Sequence, residues 1–157
     1  MPHQFSHTEE HIDKDMVKME VNLDDISGEW LGYVMDQLFE AGANDVFYTP
    51  IYMKKNRPGV MLQVLCDQKM IIRMKEILFA ETTTLGIRYY PLSVHRLART
   101  FYHVQTEWGD VTVKQGLHNG EIVQSAPEYE DCRKIAKDKN IPLKEVYQRV
   151  WDLYSKK

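Results

Sequence analysis

Cysteine is scarce in this chain. Two occur among 157 residues, Cys66 and Cys132, far apart and without CxxC or Cys/His spacing. That argues against a disulfide framework and a structural zinc site; reduced thiols in the cytoplasm are the expectation. Long apolar runs are missing too. None approaches the roughly 20 residues that cross a bilayer, and the polar, acidic start has no signal-peptide pattern. There is no basic excess: 20 Lys and Arg stand against 23 Asp and Glu, a net charge of -3. A general nucleic-acid binder would carry the opposite balance, so any anion site must be local. Gly-rich phosphate loops, nucleophile elbows and HExxH are absent.

What is present is enough for a core: 43% hydrophobic and 11% aromatic residues. The length implies one domain with room for a small appendage. Residues 1–15 have little apolar content and read as a disordered tail or linker. His3, His7 and His11 recur every four residues there and would share a face of a helix. With nothing to pack against, they carry adventitious metal or no role. Val17 to Asp24 alternates like a half-buried strand. Ser27 can cap a helix whose stripe is Leu31, Val34, Met35, Leu38 and Ala41, stopped by Gly42.

A hairpin follows from about Asp45 to Asp67, then a helix from about Gln68 to Thr82 and a strand from Ile87 to Leu97. The order strand, helix, strand, strand, helix, strand is the split βαβ arrangement. The expected fold is therefore α+β, with a ferredoxin-like core over 16–97. An extension over 98–157 is expected to pack on it. It comprises a hairpin turned at Gly109-Asp110, a turn at Asn119-Gly120, a short strand Glu121 to Gln124, and helices at about Glu128–Lys139 and Pro142–Ser155. The sheet face without helices is left free for a site or a subunit contact.

Four groups of residues could carry chemistry. Met53-Lys-Lys-Asn-Arg-Pro-Gly59 puts Lys54, Lys55 and Arg57 at a turn, where phosphates and carboxylates bind; a solvated hairpin tip is the plain alternative. Glu20, Asn22 and Asp24 share one strand face, with Asp25 beside the next helix start. Hard oxygens so placed suit Mg2+ or Mn2+, or Asp24 and Asp25 merely favour the turn and the helix dipole. Thr82, Thr83 and Thr84 precede Gly86 and Arg88: donors for an oxyanion, or β-branched residues that stop a helix. Ser125 and Glu128 match a capping box, and Glu128, Glu130 and Asp131 are more carboxylates than a cap requires. His95, His103 and His118 lie in separate strand-like segments and read as structural or surface residues.

Together, Glu20-Val-Asn-Leu-Asp-Asp25, the basic hairpin, Glu81-Thr-Thr-Thr-Leu-Gly-Ile-Arg88 and Ala126-Pro-Glu-Tyr-Glu-Asp-Cys132 resemble the LarC family of nickel-insertion proteins, over about residues 16–150. The resemblance implies a C-terminal domain whose partner is a separate N-terminal domain of the same protein. It implies insertion of nickel into pyridinium-3,5-bisthiocarboxylic acid mononucleotide, with hydrolysis of CTP and use of Mn2+ or Mg2+. The carried-over nucleotide contacts are Lys54, Lys55, Arg57, Thr82, Thr83, Thr84, Arg88, Asn22 and Glu128. The metal candidates are Asp24, Asp25 and Asp131. A homo-oligomer is expected, with neither nucleic acid nor membrane as a partner. A non-catalytic regulatory or assembly module, or a metal-delivery protein using the three tail histidines, are the competing readings.

Overall fold

The computed structural model describes residues 7–156. Those residues form two compact units: 12–94, and 7–11 together with 95–156. The first is built from β1 (His11–Leu23), α1 (Gly28–Glu40), β2 (Asp45–Met53), β3 (Arg57–Asp67), α2 (Ile71–Glu81) and β4 (Arg88–Arg96), whose strands lie in the order β2-β3-β1-β4. Element order and strand order both follow the split βαβ pattern. β3 runs antiparallel to β1 and to β2.

The alternation in β1 sets which face is buried. Val17, Met19, Val21 and Leu23 are at most 3% exposed. Their register partners Cys66, Val64, Leu62 and Val60 lie on the same face of β3. Leu31, Val34 and Leu38 of α1 and Met74, Ile77 and Leu78 of α2 close over that face. Each such buried Leu or Val contributes about 1.5–3 kcal/mol of burial. Ser27 caps α1, its hydroxyl accepting from the Trp30 amide at 3.2 Å. The tail expectation fails at its end. Residues 11–15 belong to β1, although the apolar side chain among them, Ile12, is exposed: hydrogen bonding between strands can keep a segment extended without burying it. The tail's first six residues, His3 among them, lie outside the described residues.

The second unit carries an antiparallel sheet of β5 (Ala98–Thr106), β6 (Gly109–His118) and β7 (Glu121–Pro127), with α3 (Tyr129–Lys139) and α4 (Leu143–Tyr154). Its core is Val104, Val111, Val113, Cys132, Ile135, Val146 and Val150. The β5–β6 turn falls at Glu107-Trp108, two residues before the expected Gly109-Asp110, and Gly109 already pairs with Thr106. Asn119-Gly120 turns as expected, with φ of 51° and 82°. Ser125 lies in β7 and its hydroxyl meets Tyr154 Oη at 3.0 Å. It therefore caps nothing; Glu128 is the N-cap of α3 and makes no side-chain cap bond. Burial pushes both thiols, Cys66 and Cys132, up to about 11, so they are inert core residues.

Candidate functional site

The β2–β3 connection is the tight turn Lys54–Asn56, closed by the pair Met53 and Arg57. Pro58 and Gly59, which look like turn residues, already belong to β3. Proline is tolerated there because strand starts can lack a donor. Gly59 is required by close approach: a Cβ would stand 2.5 Å from the Leu23 carbonyl oxygen. Lys55 and Asn56 take φ of 61° and 57°. Asparagine tolerates that region, whereas a lysine there is held against its own preference. The chain thus leaves the strand geometry in which Lys54 and Lys55 would project to opposite faces. Both are exposed, and among the described residues neither has a carboxylate within 4.0 Å.

That turn is tied to the end of β1. Arg57 reaches Asp24 at 3.5 Å, and Asp25 follows in the link to the capped start of α1. From the other side, the loop after α2 delivers Thr83, whose hydroxyl donates to Asp25 at 2.5 Å. The other two threonines hold the loop itself. Thr82 is buried and donates to the Leu78 carbonyl at 2.6 Å; its oxygen accepts from the Thr84 amide at 3.2 Å. Thr84 donates to the Gly86 carbonyl at 2.8 Å. Arg88, first residue of β4, bridges Glu20 and Asn22 at 2.8 Å each. Arg88 foremost, with the Tyr90 hydroxyl, holds the Glu20 carboxyl below the usual carboxylate range. Three chain segments, distant in sequence, therefore meet at Asp24 and Asp25. Their hard carboxylate oxygens suit a divalent cation, and the lysines suit phosphate.

The last two positions belong to the other unit. Asp131 accepts the Thr112 amide at 2.8 Å, and Glu128 pairs with Lys114 at 3.0 Å. The Glu128 amide also donates to the Thr112 carbonyl at 2.8 Å. Both fasten the start of α3 to β6, and an acidic group in a first helical turn is favourable in its own right.

A family model described as nickel insertion protein matches residues 4–147. The chain belongs to that nickel-insertion family. A relative named pyridinium-3,5-bisthiocarboxylic acid mononucleotide nickel insertion protein, from Acetivibrio thermocellus, is 49% identical over 90% of the chain and 34% of its own length. A namesake from Thermotoga sp. (strain RQ2) is 50% identical over 85% of the chain and 33% of its own. The chain thus spans about a third of these curated relatives. Among solved structures it superposes on LarC2, described as the C-terminal domain of a cyclometallase involved in synthesis of the NPN cofactor of lactate racemase. The TM-score is 0.85, with 40% identity, over 93% of this chain and 99% of that one. A protein from Methanopyrus kandleri follows at 0.67, with 26% identity, covering 91% and 90%.

For a nickel-insertion chain the histidines matter. His11 starts a strand, so the helical face expected of the tail histidines does not form; the His7 and His11 rings stack 6.1 Å apart instead. Sequence reasoning missed another group. His95 Nε2 and His118 Nδ1 converge on Glu10 Oε1 at 2.7 and 2.6 Å, across separations of 85 and 108 residues. No spacing rule signals such a meeting. The Asn119 amide, at 2.8 Å from Oε2, and then His118 and His95 hold the Glu10 carboxyl down at about 2.

Proposed function

We propose that residues 12–94 carry a metal–CTP site, and that the whole protein uses it to insert nickel into pyridinium-3,5-bisthiocarboxylic acid mononucleotide with CTP hydrolysis. The observation that supports this is the meeting of the basic turn, the loop after α2 and the end of β1 at Asp24-Asp25. Lys54, Lys55 and Arg57 neutralise the triphosphate, Arg57 turning from Asp24 to a phosphate oxygen as a bidentate fork. Thr83 supplies a hydroxyl donor. Thr82 and Thr84 shape the loop that presents it. Asn22 is oriented by Arg88 and offers a side-chain amide to the nucleotide. Asp24 and Asp25 hold Mn2+ or Mg2+, which when bound shields phosphate charge.

Glu128 and Asp131 are assigned to the start of α3, where Lys114 and Thr112 engage them; a nucleotide or metal contact by either is the alternative, and Asp131→Ala tests it at Asp131. The partner domain, the cytoplasmic setting and a homo-oligomer belong to the same reading. The relatives' greater length supports a partner domain. Calorimetry with CTP and Mn2+ is the test. Saturable binding that disappears in Lys54→Ala/Arg57→Ala, with folding retained, supports the site. Absence of any CTP binding by the folded chain overturns it. A regulatory or assembly module would instead lose its oligomeric state in that variant and bind no CTP.

A further inference from the structure

The structure assigns a second metal site, for a divalent transition ion, to Glu10, His95 and His118. The choice of nickel among such ions rests on the reading above; the site itself rests on its own ligands. One nitrogen of each imidazole and one carboxylate oxygen all lie within 4.8 Å of one another. Metal–nitrogen and metal–oxygen bonds of about 2.0–2.2 Å put ligand atoms of one ion roughly 3–4 Å apart, so the three donors need only side-chain adjustment to share an ion. Two imidazoles with a carboxylate form a borderline donor set. It suits nickel, cobalt and zinc rather than Mg2+ or Ca2+, and leaves positions open for exchange.

The surroundings orient these groups as metal ligands are oriented. Glu10 has its second oxygen fixed by the Asn119 backbone amide at 2.8 Å, which leaves Oε1 to the histidines. The His118 outer nitrogen, Nε2, faces the Asn119 side-chain amide at 3.3 Å. Without an ion, His118 donates from Nδ1 to Glu10 and Nε2 accepts from that amide. With an ion on Nδ1, the proton moves to Nε2, and the Asn119 amide turned over presents its oxygen to receive it. One neighbour thus serves both tautomers. Access is open, since the His95 and His118 side chains are about half exposed. Asn119 is held at a φ of 51° in the β6–β7 turn, so the oxygen and the second histidine are placed by a rigid hairpin end.

The plain alternative is two ion pairs on one carboxylate, with no affinity for metal. Calorimetric titration of the full chain with NiCl2, without nucleotide, separates the two. The expected result is one equivalent of Ni2+ bound, with Co2+ giving a visible d–d absorption at the same stoichiometry. Changing a supporting group weakens a metal site 10–100-fold, so removing two ligands in His95→Gln/His118→Gln should weaken binding by more than about tenfold. Glu10→Gln should weaken it less. His3→Gln/His11→Gln should leave it intact. The proposal is overturned by no stoichiometric uptake, by uptake unchanged in His95→Gln/His118→Gln with a native circular dichroism spectrum, or by loss in His3→Gln/His11→Gln. Should the double variant misfold, His118→Gln alone decides by the same criterion. Nickel is titrated without CTP, and CTP with Mn2+ and without nickel, so either site can fail while the other stands.

Discussion

The end of β1 and the start of α3 carry the same kinds of side chain and put them to different uses. At α3, Asp131 and Glu128 are matched by the Thr112 amide and by Lys114. Those bonds join a helix to a strand and leave little capacity over. At β1, Asp24 and Asp25 meet one arginine and one threonine hydroxyl, while Lys54 and Lys55 stand exposed without a carboxylate partner among the described residues. Charge matched within the fold stabilises the fold; charge left over is available to a ligand. Residue type alone does not separate the two.

The sharpest way to break this contrast is Lys54→Ala/Arg57→Ala. Hydrogen bonds to charged groups contribute about 1.5–3 kcal/mol each, so the pair should lower CTP affinity by at least about a hundredfold in calorimetry. The melting temperature should hardly move. Asp131→Ala should do the reverse, removing about 1–3 kcal/mol from unfolding stability in urea by leaving the Thr112 amide unmatched. Its affinity for CTP and Mn2+ should not change. If affinity falls at unchanged stability, Asp131 joins the site and the contrast fails.

A smaller effect is expected from Thr83→Val, which removes the hydroxyl on Asp25. About 0.5–1.5 kcal/mol of CTP binding should go with it, read as a twofold to tenfold weaker affinity. The smallest effect concerns pH. The Glu20 carboxyl titrates below its ordinary value of 4.5 because Arg88 binds the charged form. A depressed folded value means stability that is present above 4.5 and lost as pH falls through the folded value. Arg88→Gln should therefore flatten the acid limb of a stability–pH curve below 4.5. An unchanged limb would show that Glu20 is not held by Arg88 in solution.

Much of the first unit was legible because its signals are local. Alternation from Val17 fixed the buried face of β1, and Ser27 marked the start of α1 three residues before the amide it binds. The site was legible in its members rather than in their connections. Thr82, Thr83 and Thr84 are adjacent in sequence, yet one is buried against Leu78 and another reaches Asp25. Pro58-Gly59 resembled a turn because turn residues and close-approach residues are the same types. Gly59 is there for the Leu23 carbonyl, a contact across strands. The Glu10, His95 and His118 cluster escaped for a different reason. Its members come from a strand-leading segment, β4 and β6, and only the folded chain brings them together.

The buried cysteines have a consequence for metal traffic. With Cys66 and Cys132 fully enclosed and their thiols held near 11, the chain shows a nickel ion no thiolate. It offers nitrogen and oxygen donors instead. The acceptor named for its relatives is a bisthiocarboxylic acid, whose sulfurs are softer than either. A chain whose two thiols are buried sets no thiolate of its own against such sulfurs.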